Sequence, residues 1–296
     1  MKILKASHLG MCFGVRDAIA LATQQADSGP VTILGELVHN ETVLADLKAK
    51  GVQLARELSA VATPTVIITA HGASERAMNQ VRASGFNVVE ATCPLVHHAH
   101  QMLARLVREG FHPIVIGHPG HVEVRGMTGD LEDFDVVLTE TDVMSLAERP
   151  RFGIVAQTTQ AISKVRNLVE LIRDRFPKAE VRFIDTVCQP TKQRQTAAVE
   201  LARQCDVVIV IGGANSNNTR ELVATCSRYC KQAHHVQGAS DLRPEWFADT
   251  ETVGITAGTS TPDKLIDEVA QAIREIAAKE REESCCMNPT FECNAV

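Results

Sequence analysis

Large aromatic side chains are scarce in this chain, with one Trp and one Tyr among 296 residues. That scarcity argues against the stacked aromatic platforms on which single-stranded nucleic acids lie. Long basic runs are missing too, and with a formal charge of −6 no phosphate-backbone surface is indicated. No apolar stretch approaches the ~20 residues that span a bilayer. The opening Met1-Lys2-Ile3-Leu4-Lys5 is too short and polar for a secretory signal. The expectation is a cytoplasmic protein with no nucleic-acid and no membrane partner. No GxGxxG follows a strand and no Walker sequence occurs, so a built-in nicotinamide site is not indicated. Nine cysteines are present, an odd count. In a reducing compartment thiols serve metals or catalysis more often than disulfides.

What the chain does have is an internal repeat. Cys12 lies 23 residues before Gly35, and Cys93 and Cys188 each lie 24 before Gly117 and Gly212. Four residues past each glycine stands His39, His121 or Ser216, and six past stands Glu41, Glu123 or Asn218. Each copy then has an apolar run ending in alanine, at Ala70, Ala156 and Ala257, followed by hydrogen-bonding residues. A repeat of this length decides the fold class before any single element does.

Strands alternate with helices throughout, which implies α/β architecture with small parallel sheets covered on both faces. The repeat divides the chain into three similar domains at 13–92, 93–187 and 188–280, with the N-terminal strand 1–12 added to the third. Helices are expected over Gly14–Ala26, Thr219–Gln232 and Pro262–Ala278, and a connecting loop or hairpin before Thr141. The tail 281–296, with Cys285, Cys286 and Cys293, matches nothing in the repeat and is expected to be mobile. In such sheets ligands sit beyond the carboxyl ends of strands, where the recurring polar residues fall.

Cys12, Cys93 and Cys188 each stand immediately before a helix, a position that lowers a thiol pKa and favours the metal-binding thiolate. One lone cysteine reads as a small buried hydrophobe. Three in register point to a shared centre, either zinc or an iron–sulfur cluster. Structural zinc draws closely spaced cysteine pairs, and here the gaps are 81 and 95 residues. A 4Fe-4S cubane held by three cysteines leaves one iron without a protein thiolate, the arrangement of a catalytic centre. Cys205, Cys226 and Cys230 read as core. His39, His71, His121, Ser216 and Asn218 near helix starts, with the glycine-bearing segments at 71–72 and 258–262, suit a phosphate or diphosphate. Glu123, two residues past His121, is a candidate proton donor if buried, with both side chains on one side of an extended segment. Glu41 holds the same offset, so the repeat alone does not choose between them.

The assembled motifs are Cys12-Phe13-Gly14-Val15, Val38-His39-Asn40, Ala70-His71-Gly72, Ala91-Thr92-Cys93-Pro94, Gly117 to Glu123, Gln157-Thr158-Thr159, Cys188 with Thr191, Arg194 and Gln195, and Thr256 to Ser260. Together they resemble the family of 4-hydroxy-3-methylbut-2-enyl diphosphate reductases, the last enzymes of the methylerythritol phosphate route to isoprenoids. The resemblance implies a pseudo-threefold trefoil of α/β domains around a central site holding one oxygen-sensitive 4Fe-4S cluster per chain. It implies reductive dehydroxylation of an allylic diphosphate to isopentenyl and dimethylallyl diphosphate. Carried over by position, Cys12, Cys93 and Cys188 bind the cluster. His39, His71, His121, Thr158, Ser216, Asn217, Asn218 and Ser260 hold substrate, and Glu123 delivers the proton with Thr158 relaying or orienting it. Asn217 departs from the family, which commonly has a second serine there. With no nicotinamide site, electrons are expected one at a time from an external carrier of the ferredoxin or flavodoxin type. The rival readings are a metal-free phosphate-binding module and a zinc-dependent hydrolase.

Overall fold

The computed structural model describes residues 1–287, with side chains described through Lys279. The elements in chain order are β1 (Lys2–Lys5), α1 (Phe13–Ser28), β2 (Val31–Leu34), α2 (Glu41–Ala49), β3 (Gln53–Ala55), β4 (Thr65–Ile68), α3 (Glu75–Ala83) and β5 (Asn87–Glu90). There follow α4 (Pro94–Arg108), β6 (His112–Ile116), α5 (Val122–Thr128), β7 (Asp135–Val137), α6 (Glu140–Ser145), β8 (Arg151–Ala156), α7 (Ile162–Arg175) and β9 (Glu180–Phe183). The last are α8 (Gln189–Ala202), β10 (Val207–Ile211), α9 (Asn217–Cys226), β11 (Gln232–Val236), β12 (Thr252–Ala257) and α10 (Asp263–Met287).

Two compact units are formed, one by residues 12–193 and one by 1–11 with 194 onward. The first holds two sheets, ordered β3-β2-β4-β5 and β7-β6-β8-β9, and the second holds β1-β12-β10-β11. Every strand pair in these three four-stranded sheets is parallel. Parallel strands buried on both faces read as unbroken apolar runs, because alternate residues serve opposite sides. Ile114, Ile116, Phe152 and Ile154 pack on one side with Leu168 and Ile172 of α7. Val115 and Val155 pack on the other with Leu103 and Leu106 of α4. The third sheet repeats this, with Ile209, Ile211 and Ile255 against Val269 and Ile273 of α10, and Val208 and Val210 against Ala198 and Leu201 of α8. Truncating any of these isoleucines to alanine would cost about 2–5 kcal/mol.

The structure departs from the sequence expectations in four places. The short strands β3, β7 and β11, one at the same edge of each sheet, replace what reads as loop, and α5 and α6 occupy the span before and after β7. The helix expected over Thr219–Gln232 ends at Cys226, and Gln232 instead begins β11. The carboxyl-proximal helix continues past Ala278 to Met287, taking in Cys285 and Cys286. The run Lys279-Glu280-Arg281-Glu282-Glu283 is made of good helix formers without a breaker, so nothing stops it there. Cys293 and the rest of the expected tail, 288–296, lie outside the described residues.

The fourth departure is one of register. Leu34 is level with Ile68, whereas Ile116 is level with Ala156 and Ile211 with Ala257. Ile68, rather than Ala70, is therefore the counterpart of Ala156 and Ala257. Thr69, Gln157 and Gly258 then occupy one equivalent position.

Candidate active site

The three recurrent cysteines all fall in the unit 12–193. Cys12 and Cys93 are the residues that cap α1 and α4, with Pro94 opening α4, and Cys188 stands directly before α8. Two of the backbones are pinned just past strand ends, the Cys93 N–H donating to Ala70 O at 3.1 Å and the Cys188 N–H to Thr158 O at 3.0 Å. The Cys188 thiol donates to Thr191 Oγ1 at 3.1 Å. A Cβ built at Gly14 would stand 2.4 Å from Cys93 Sγ, so the first turn of α1 leaves room for that sulfur by having no side chain. Cys12 interacts electrostatically with both Cys93 and Cys188.

Helix-start N–H groups were expected to lower these thiols. Burial wins instead, pushing the Cys93 thiol up and the Cys188 thiol up to about 11, against lowering bonds from Leu95 and Val96 to Cys93 and from Thr191 to Cys188. Thiols with the desolvation cost of Cys93 and Cys188 become thiolates when a multiply charged cation offsets it. A single tetrahedral zinc, with Zn–S about 2.3 Å, would hold its sulfurs roughly 3.8 Å apart. Among the described residues the only three side chains with ligand atoms within 4.8 Å of one another are His39, His71 and His121.

The imidazoles form a second cluster in the same unit. His39 and His71 stack at 4.3 Å between ring centroids, and His121 meets them edge-on at 5.2 and 5.4 Å. Burial, then the neighbouring rings of His39 and His121, holds His71 well below the ordinary imidazole range. Its Nδ1 is buried without a hydrogen-bond partner. His121 Nδ1 accepts the Glu123 N–H at 3.1 Å, so in the neutral ring Nε2 carries the hydrogen. His39 Nδ1 lies 2.9 Å from Glu36 Oε2, a partner that sequence reasoning missed. Ring N–H groups at this cluster would serve as donors to an anion.

Glu123 sits in the first turn of α5, which His121 caps, and not on the extended segment expected. It is 1% exposed, and burial raises its carboxyl to about 7 despite hydrogen bonds from the Thr158 N–H and hydroxyl. The N–H bond measures 2.6 Å. Glu123 also acts electrostatically on Cys93 and Cys188. Glu41, the rival by repeat position, is exposed at the start of α2.

The remaining predicted residues belong to the other unit. Ser216 caps α9, its hydroxyl accepting from the Thr219 N–H at 3.3 Å, and Asn217, Asn218 and Ser260 are buried. Both polar atoms of the Asn218 side chain lack partners. A Cβ on Gly258 would be 3.7 Å from Asn218 Nδ2, which places the loop leading to Ser260 against α9. A buried carboxamide with nothing to bond is costly, and a ligand with acceptor oxygens would satisfy its N–H groups. Cys226 and Cys230 pack in the apolar cluster with Leu201 and Val208, as core.

Fold and site together define a class of protein: parallel α/β sheets carrying a thiol triad, an imidazole cluster and a buried acid at strand ends. The comparisons give the family. The model of the LytB protein family matches residues 3–274, and the chain belongs to that family. It is 36% identical over 285 residues to the 4-hydroxy-3-methylbut-2-enyl diphosphate reductase of Geobacter sulfurreducens, covering 95% of this chain and 100% of that protein. It is 37% identical over 279 residues to the reductase of the same name from Trichlorobacter lovleyi, covering 93% and 99%. Among solved structures, the E-1-hydroxy-2-methyl-but-2-enyl-4-diphosphate reductase of Plasmodium falciparum superposes with a TM-score of 0.87 at 26% identity, over 91% of this chain and 87% of that one. A second, described as the terminal enzyme of the non-mevalonate pathway, is 37% identical with a TM-score of 0.66, over 93% and 100%. No helix among the described residues is long and apolar enough to cross a membrane.

Proposed function

We propose that this chain is a 4-hydroxy-3-methylbut-2-enyl diphosphate reductase that carries one 4Fe-4S cluster on Cys12, Cys93 and Cys188. The reaction consumes two electrons and two protons. The allylic C–O bond breaks, the hydroxyl leaves as water, and a new C–H bond gives isopentenyl or dimethylallyl diphosphate. When bound, the cluster supplies electrons singly and a Lewis-acidic iron that no protein thiolate occupies. The electrons come from an external carrier of the ferredoxin or flavodoxin type.

The chain's own residues do the rest. Glu123, with its carboxyl at about 7, is about half protonated at neutral pH, close to the optimum for a general acid. It gives its proton to the departing hydroxyl. Thr158 fixes the carboxyl through its N–H and hydroxyl, so that the acid meets the leaving group in one orientation. In one unit His39, His71 and His121 neutralise diphosphate oxygens. In the other Ser216, Asn217, Asn218 and Ser260 hold diphosphate through hydroxyl and amide groups.

The observation that carries the reading is a carboxyl at 1% exposure, raised to about 7 and electrostatically coupled to two of the three thiols. The test is iron and sulfide analysis of protein purified without oxygen, followed by turnover of the allylic diphosphate with a one-electron reductant. About four irons and about four sulfides per chain, with water and the two isomeric products formed, are expected. A colourless, zinc-loaded or metal-free protein with no turnover would overturn it.

A further inference from the structure

The strand-ending glycine of each repeat is level with two neighbours, and the third copy treats it differently. On the inner side Gly35, Gly117 and Gly212 face Thr69, Gln157 and Gly258. In the second copy Gln157 holds the following loop, its Oε1 accepting the His118 N–H at 3.0 Å. The third copy has no side chain there, because Thr219 Oγ1 lies 2.3 Å from where a Cβ on either Gly212 or Gly258 would stand.

The support has moved to the edge strand. Leu34, Ile116 and Ile211 pair with Ala55, Val137 and Val236, so the flanking edge residues are Leu54 and Arg56, Val136 and Leu138, and His235 and Gln237. Only the third copy puts two hydrogen-bonding side chains of this reach at those positions. His235 Nε2 is 2.8 Å from Gly212 O, and since a carbonyl only accepts, that nitrogen carries the hydrogen. The Ala214 N–H donates to Gln237 Oε1 at 3.0 Å. Between them the Gly212 N–H donates to Val236 O at 3.0 Å. The strand exit is itself anchored, with the N–H groups of Gln237 and Gly238 donating to Asp241 Oδ2 at 2.7 and 3.3 Å.

We propose that His235 and Gln237 are positioning residues, a two-point clamp on the loop 212–216 that presents Ser216 and Asn218 to a phosphate group. The proposal rests on the reading of Ser216 and Asn218 as diphosphate contacts. A preorganised loop spends no binding energy on ordering itself, so loss of the clamp appears in affinity and not in the chemical step.

The experiment uses anaerobic holoprotein with His235→Leu, Gln237→Leu, the double variant and the conservative His235→Gln, which keeps an N–H donor. Inorganic pyrophosphate binding is measured by calorimetry, turnover gives KM and kcat, and hydrogen exchange follows the amides of 212–218. The double variant is expected to exchange these amides at least tenfold faster, and to raise the pyrophosphate Kd and KM about tenfold, roughly two hydrogen bonds' worth. Its kcat stays within about twofold and its cluster absorbance is unchanged, while His235→Gln stays within about twofold of the parent throughout. Exchange and pyrophosphate affinity both unchanged in the double variant would overturn the clamp, as would a fall in kcat at constant KM. Ser216→Ala serves as the separate check: if it leaves pyrophosphate affinity unaltered, the diphosphate reading of the loop fails, and the exchange data still decide whether the clamp exists.

Discussion

Glu123 and Cys188 are joined through a single residue: the Thr158 N–H donates to Glu123 Oε1 at 2.6 Å, and the Thr158 carbonyl accepts the Cys188 N–H at 3.0 Å. The proposed proton donor and one proposed cluster ligand therefore share a rigid backbone link, and each can be tested through it.

Glu123→Gln removes the proton and keeps the shape. Turnover is expected to fall by about 10²–10⁴-fold, with cluster absorbance and substrate affinity kept. Activity within threefold of the parent would move the acid role elsewhere.

The same carboxyl predicts a pH dependence of stability. Burial raises it from 4.5 to about 7, so between those values the folded protein holds a proton that the unfolded chain has released. Its contribution is fully present below pH 4.5 and is lost as pH rises through about 7. The loss amounts to about 3 kcal/mol. Denaturant unfolding at a series of pH values should show this decline in the parent and not in Glu123→Gln; parallel curves would refute it.

Anion binding should take up protons. His71 is held neutral by burial and by His39 and His121, and a diphosphate beside it would raise its affinity for protons. Pyrophosphate should bind more weakly as pH rises from 6 to 8. Calorimetry in buffers of differing ionisation enthalpy should register uptake on binding, and a buffer-independent heat would count against it.

Gly14→Ala places a methyl 2.4 Å from where Cys93 Sγ now sits. We expect less than half the iron of the parent after anaerobic purification, with far-ultraviolet circular dichroism unchanged. Cys93→Ser should lose the cluster and all turnover. Full iron in both would remove Cys93 from the centre.

The strands that carry both faces of each core were legible because unbroken runs such as Val207–Ile211 have no other soluble use. The recurrence of Cys12, Cys93 and Cys188 before helices was legible because the repeat places them in register, whereas the repeat left Glu41 and Glu123 level and only the burial of Glu123 separates them. β3, β7 and β11 were not: Gln53-Leu54-Ala55 and Asp135-Val136-Val137 are too short to carry a period, and Gln232-Ala233-His234-His235-Val236 has only Val236 buried. Likewise the two-residue register difference at Ile68 is set by strand pairing, which apolar runs alone leave open. Glu36 beside His39 had a signal, an acid three residues before a histidine in one loop. The space at Gly14 had none, since it depends on where α1 passes Cys93.

An acid with 1% of its surface in contact with solvent holds one proton and trades it with bulk water only when its neighbours move aside. In the role proposed for Glu123, each visit by a substrate is thus rationed to a single dose of acidity. Recharging then depends on such movements, which ties the tempo of the catalyst to how often its interior meets water.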